Sequence, residues 1–355
     1  MDDTAVSPFS AASQHGPRPL PLFLEMLRHE TAADPVRQRA ALAGLAAYQR
    51  AVRAMPPQLP PACHQAGRAV LRDYGGTGAP VLFIPSLINP PYILDLAPEQ
   101  SLLRWLAARG HRVLLLDWGT PAPEDRTADI ASHVTDLVVP LVRALAAPPV
   151  LVGYCLGGTI AAAAASVMPV AGLAMIAAPW HFSGFGEGAR ARIAALWAQV
   201  QPMCTALGLV PMEVLQSGFW ALDPARTIGK YEAFAALPAD SDAARRFVAL
   251  EDWANGGAPL PYAAGAQMFD FFANDMPGRG VWTVGGRAVD LAALACPTVD
   301  FVSTTDRIVP CASAAGFADR RELHAGHVGM VVGSTAQAQL WAPLDDWISG
   351  ITGRR

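Results

Sequence analysis

The residues most able to do chemistry lie in Gly153-Tyr154-Cys155-Leu156-Gly157-Gly158, a G-x-C-x-G pattern. It follows an apolar run, Val150 to Val152, and precedes a small-residue, helix-like stretch, Thr159 to Val167. A cysteine on a sharp strand-to-helix turn flanked by glycines is the thiol form of the nucleophile elbow. The N–H of Leu156, at the helix start, would face the oxygen of a tetrahedral intermediate, and a helix N-terminus favours negative charge nearby. The implied chemistry is acyl transfer through a thiol nucleophile.

Such a nucleophile needs a base and an acid to orient it, in the chain order nucleophile, acid, base. Asp306 sits in Ser303-Thr304-Thr305-Asp306-Arg307-Ile308-Val309-Pro310, just after the apolar run Val299 to Val302. Two histidines compete as base in His324-Ala325-Gly326-His327-Val328-Gly329. His327 is preferred, because it lies further past a short strand and a loop near two glycines can aim it back at the sheet edge. The loop Ser86-Leu87-Ile88-Asn89, after the run Val81 to Ile84, is where a second oxyanion N–H belongs. Cys311 has no glycine elbow, and Cys63, Cys204 and Cys296 read as core. His111, His133 and His181 lack metal-ligand spacing, so no metal is expected.

These residues need a scaffold. Apolar runs at 81–84, 113–116, 150–152, 173–176 and 298–302, with a strand-like Glu322-Leu323, alternate with helix-like segments at 100–109, 127–146, 158–167 and 336–348. That rhythm gives an α/β fold with a mostly parallel sheet and helices on both faces. It breaks after Pro179. Between Trp180 and Gly285 stand five Trp and eight Phe, against nine and 13 in the whole chain. This concentration reads as an inserted helical cap, residues 180–290, able to form an apolar lid over a pocket. The core is then 66–179 with 291–355, and residues 1–65, with proline clusters around a helical stretch, form an N-terminal arm.

Composition narrows the partners. Of 355 residues 52% are hydrophobic, so disorder is excluded as the main state, and a net charge of −4 offers no broad basic face for nucleic acid. Lys230 is the single lysine, which argues against Schiff-base chemistry, and five cysteines without a C-x-x-C pair argue against a disulfide framework. Residues 144–186 carry no Asp, Glu, Lys or Arg, but prolines and glycines cut the run too short to span a membrane. The start Met1-Asp2-Asp3 has no signal-peptide character, so a cytoplasmic location is expected.

With elbow, Asp306 and His327 in this order, the chain resembles the polyhydroxyalkanoate synthases, and by length their short class III catalytic subunit. Leu87 to Leu96, Ser101 to Leu106, Gly110 to Val113, Asp117-Trp118-Gly119, Val309-Pro310 and Gly326 to Gly329 carry the resemblance along with the elbow. It departs at Arg307, where the family often has histidine, at Ala325, where glycine is usual, and throughout the arm. The resemblance implies an α/β-hydrolase fold and an acyltransferase that polymerises (R)-3-hydroxyacyl-CoA into polyester with release of CoA, using no cofactor beyond the coenzyme A thioester as substrate. Cys155, His327 and Asp306 would act as nucleophile, base and orienting acid. It also implies a second, non-catalytic subunit, a homodimer, and work on the growing polyester chain at a granule surface. A thioesterase or intracellular depolymerase would use the same three residues, and a non-catalytic granule protein could keep the fold. Both remain open at this point.

Overall fold

The structure, a computed structural model, describes residues 16–53 and 59–353. The beginning at Met1 and the Pro56-Pro57 pair lie outside these residues. The chain divides into two compact units: described residues 16–53 with 212–257, and described residues 59–211 with 258–353.

The larger unit is built on an eight-stranded sheet. Its strands are β1 (Ala62–Ala66), β2 (Ala69–Asp73), β3 (Thr77–Ile84), β4 (His111–Asp117), β5 (Val150–Tyr154), β6 (Gly172–Ile176), β7 (Thr298–Ser303) and β8 (Arg320–Leu323), in the order β1-β2-β4-β3-β5-β6-β7-β8. From β4 through β8 all neighbours are parallel, and β2 runs antiparallel to both β1 and β4. Every residue of β5 and β6 is buried, as is the end of β3 from Pro80 to Ile84. This is why these strands are continuous apolar runs rather than alternating ones: helices cover both faces.

The edge hairpin was not legible as strand. Ala62–Ala66 is mostly exposed, with His64 and Gln65, so it lacks an apolar run. Its turn does carry a signal: Ala66 pairs with Ala69 across Gly67-Arg68, and Gly67 takes φ +54°. A two-residue turn with Gly first is a hairpin signature. The expected helix at 127–146 is observed as Ile130–Ser132 and Val139–Arg143 joined by a π-helical turn, His133–Val138. The wide turn stands just before Pro140, whose ring would crowd the carbonyl four residues back in α geometry.

The division into units differs from the arm, core and cap expected from the sequence. Residues 16–53 do not form a free arm: helices Leu20–Glu30 and Pro35–Arg50 pack with helices Met212–Trp220, Pro224–Ala235 and Asp242–Ala254. Their shared core holds Phe23, Leu27, Leu45, Tyr48, Trp220, Tyr231 and Phe234. Phe23 sets its ring edge-on against Trp220 and Tyr231, at 5.7 and 4.9 Å between centroids. Gly44 lets two helices meet, since a Cβ there would lie 1.9 Å from the Tyr231 carbonyl oxygen. Ala62–Ala66 belongs to the sheet. Of the expected cap, 180–211 and 258–290 group with the sheet and only 212–257 with the helical unit. The aromatic residues explain the split, because Trp180, Phe182, Phe271 and Trp282 form their own cluster.

Among the described residues no helix is long and apolar enough to cross a membrane.

Candidate active site

Strand β5 delivers Cys155 to the C-terminal end of the sheet, and helix Leu156–Val167 leaves directly from it. Cys155 has φ +56° and ψ −133°, a region an L-residue enters only when its surroundings enforce it. They do so through three glycines. A Cβ on Gly153 would come 2.3 Å from the Gly158 Cα, one on Gly157 2.1 Å from the Ile84 carbonyl oxygen, and one on Gly158 2.3 Å from the Ala178 Cβ. The Cys155 N–H is tied to the Ile176 carbonyl at 3.0 Å, and the next residue on that strand end, Ala177, also has positive φ, +45°.

Asp306 and His327 come from the loops after β7 and β8. Nδ1 of His327 lies 2.6 Å from Oδ2 of Asp306. The other carboxylate oxygen, Oδ1, accepts the N–H groups of Ile308 at 2.7 Å and Val309 at 3.0 Å, so the carboxylate is fixed from both sides. With Nδ1 committed to Asp306, the other ring nitrogen is the one left to exchange a proton with the Cys155 thiol. Burial pulls the His327 imidazole downward, but the charge of Asp306 and of Cys155 and the hydrogen bonds to both outweigh it and raise it to about 10. The buried carboxylate thus favours the protonated ring. The arrangement can therefore take a proton from sulfur and return it to a leaving group.

The structure brings Cys155, Asp306 and His327 together and leaves His324 outside. His324 is exposed, with its ring 3.3 Å from Thr304 Oγ1 and its N–H on the Gln339 side chain. The loop after β3 is split in its abilities. Ile88 spends its N–H on the Ser86 hydroxyl at 3.2 Å, so it is not an oxyanion donor in this arrangement. The N–H groups of Leu87 and Leu156 have no acceptor among the described residues. The loop meets the elbow where Gly157 approaches Ile84 and Pro85, and Trp118 Nε1 holds the Pro85 carbonyl at 3.1 Å.

Other candidates are structural. His111 pairs with Asp345 at 2.6 Å, and His133 lies between Arg68 and the Asp129 carbonyl. No group of three His, Cys, Asp or Glu placed to hold a metal occurs among the described residues. Cys204 is buried as expected, but Cys63 is exposed on the edge strand and Cys296 only half-buried. One participant had no role assigned from sequence: Tyr154 stacks on the His327 ring and donates to the His327 carbonyl. As the variable position of the elbow, it carries no signal in a single sequence. A cavity of about 610 Å³ opens in the same unit, walled by Trp180, His181, Val289, Leu291 and Phe317.

The strand order and the elbow are those of an α/β hydrolase, and residues 81–340 match the Alpha/beta hydrolase family, to which the chain belongs. Among solved structures, the epoxide hydrolase of Bacillus megaterium shares the fold at a TM-score of 0.50, with 13% identity over 82% of this chain and all of that one. Among curated proteins, the poly(3-hydroxyalkanoate) polymerase subunit PhaC of Haloferax mediterranei is 29% identical over 292 residues, 76% of this chain and 58% of that protein. The same-named subunit of Allochromatium vinosum is 27% identical over 290 residues, 76% of this chain and 80% of its own length. The chain spans about three-fifths of the first of these relatives.

Proposed function

We propose that the chain is an acyltransferase that polymerises (R)-3-hydroxyacyl-CoA into polyhydroxyalkanoate. The observation that carries this reading is a thiol, not a hydroxyl, at an elbow, with the charges of Cys155 and Asp306 both acting on a His327 ring that is hydrogen-bonded to Asp306. The polymerase names of relatives aligned along three quarters of the chain support the substrate class.

Cys155 sulfur adds to the thioester carbonyl, with its proton held on His327. Charge collects on the carbonyl oxygen, for which the N–H groups of Leu156 and Leu87 are the available donors. CoA sulfur leaves with the proton from His327, and the acyl group is now a thioester of Cys155. The 3-hydroxyl of another acyl group, losing its proton to His327, attacks that thioester; the ester link forms as the acyl–sulfur bond breaks, and the Cys155 sulfur leaves and recovers the proton from His327. An enzyme thioester keeps most of the driving force of the CoA thioester, so transfer to an alcohol stays downhill. Serine would have spent it one step early. Asp306 holds the ring orientation and offsets its positive charge.

Water competes for the same acyl group, so polymer formation requires the hydroxyl to reach the Cys155 thioester before water does. The relatives are named as subunits, which supports participation of a second subunit. A homodimer, a granule surface and a cytoplasmic location complete the reading.

The test is CoA release from (R)-3-hydroxybutyryl-CoA, with and without a candidate partner subunit, and separation of free 3-hydroxybutyrate from insoluble polyester. CoA release with polymer is expected. CoA release with free acid alone would assign a thioesterase, and no release under any partner condition would remove the substrate class.

A further inference from the structure

Tyr154 stands between Gly153 and the nucleophile, and it is 3% exposed. Its ring lies over the His327 imidazole with centroids 5.1 Å apart and planes inclined by 27°. Its hydroxyl donates to the His327 carbonyl oxygen at 3.1 Å. One side chain thus holds both the ring face and the backbone of the residue read above as the base. Because it is the immediate chain neighbour of Cys155, it ties the elbow directly to the histidine loop.

The chain after His327 turns into a short helix, with the Gly326 carbonyl accepting the Met330 N–H at 3.0 Å and the Val328 carbonyl accepting those of Val331 and Val332, but these bonds act on the backbone and not on the ring face. A Cβ added at Gly326 or at Gly329 would meet nothing within 4 Å, so the segment around His327 is not wedged in place by packing at those positions. Ser303 Oγ binds the Ala325 carbonyl, and Asp306 binds the His327 ring edge. Asp306 holds one nitrogen, and a single bond there does not by itself define the tilt of the ring about it. A stacked aromatic face removes the tilt, and a hydrogen bond to the carbonyl removes the slide of the backbone beneath it.

We propose that Tyr154 is a positioning residue that keeps His327 aimed at Cys155, through its stacked ring and its hydrogen bond to the His327 carbonyl. The proposal rests on the reading of Cys155, His327 and Asp306 as a triad. The titratable groups facing the imidazole are Asp306, Cys155 and Tyr154 itself. The phenol keeps its proton throughout: burial, then the charges of Cys155 and Asp306, push it well above its ordinary range.

Alkylation of Cys155 by iodoacetamide between pH 5 and 11, located by peptide mass, reads the aim directly, with exposed Cys63 as an internal reference. The full chain is used as wild type and as Tyr154→Phe, Tyr154→Leu and His327→Ala, each with a melting curve. Tyr154→Phe keeps the stack and loses the hydrogen bond, and should slow Cys155 alkylation at pH 7 about threefold to fivefold. Tyr154→Leu loses both and should slow it about tenfold or more, narrowing the pH range of fast reaction, while Cys63 is unchanged. Folded variants that alkylate Cys155 with the wild-type pH profile would overturn the proposal. Should Tyr154→Leu not fold, the profile of Tyr154→Phe decides alone. If His327→Ala itself keeps the wild-type profile, the triad reading fails and the proposal with it. A changed profile in His327→Ala beside an unchanged one in both tyrosine variants overturns the proposal only.

Discussion

The two units of this chain are held together by different means. In the sheet unit the backbone is forced: among the described residues Cys155, Ala177 and Asp275 are the non-glycine residues with positive φ, all three lie in this unit, and two of them border the elbow. The helical unit has no such residue among those described, and rests on aromatic packing and ion pairs between distant parts of the chain. Arg37 makes a two-pronged contact with Glu232, and Tyr48 and Arg53 share Asp252. Strain is concentrated where chemistry is proposed, and ordinary packing serves elsewhere. Substitutions should therefore separate activity from stability in the sheet unit and leave the two coupled in the helical one.

The largest separation is expected at the nucleophile. Cys155→Ala should lower CoA release by at least about 10⁴-fold with little change in melting temperature. His327→Ala should cost about 10³-fold, whereas His324→Ala keeps most activity. The reverse order for the two histidines would overturn the base assignment. Next come two glycines that probe the contrast itself. Gly157→Ala and Gly44→Ala each drive a methyl into a backbone carbonyl and should each cost about 1–3 kcal/mol in denaturant unfolding. Only Gly157→Ala should lose activity beyond its loss of folded protein.

A buried carboxyl gives a pH signature of the sheet unit. Asp300 on β7 is fully buried, and burial raises it to about 6 from the usual 3.8, against the N–H groups of Ala315 and Gly316 and the charge of Arg320. Its folded-state value lies above its unfolded one, so the folded state binds the proton more tightly. Its stabilising contribution is complete below about pH 4 and is lost as pH rises through about 6, by up to about 3 kcal/mol. Denaturant unfolding between pH 4 and 7 should show that slope, and Asp300→Asn should flatten it. The smallest effect is expected at the surface of the helical unit, where Arg37→Ala should leave the denaturant midpoint nearly unchanged, because water screens the ion pair of an exposed arginine.

How much of this was readable in advance follows from the range of the interactions. The elbow is local: six consecutive residues specify strand end, turn and helix start, and the Gly157 and Gly158 contacts account for the spelling. The buried strands were readable because their apolar runs need no partner to be recognised. Asp306 and His327 were chosen by chain order, and the structure sets these two side chains 2.6 Å apart while His324 stands exposed beside Thr304. The unit boundaries were not readable. The pairing of residues 16–53 with 212–257 depends on contacts such as Phe23 with Tyr231 and Gly44 against the Tyr231 carbonyl, about two hundred positions apart, and no local pattern encodes them. Tyr154 was missed for the same reason: its partner is 173 residues away.

The central claim is that an acyl group rests on Cys155 as a thioester and leaves on a hydroxyl. The most direct measurement is a rapid quench of the chain with (R)-3-hydroxybutyryl-CoA, followed by peptide mass mapping of the acyl adduct and a chase that separates polyester from free acid. The account predicts a 3-hydroxybutyryl adduct on the peptide bearing Cys155, absent in Cys155→Ala, that chases into oligomer. An adduct on another residue, or no adduct while polyester accumulates, would contradict it.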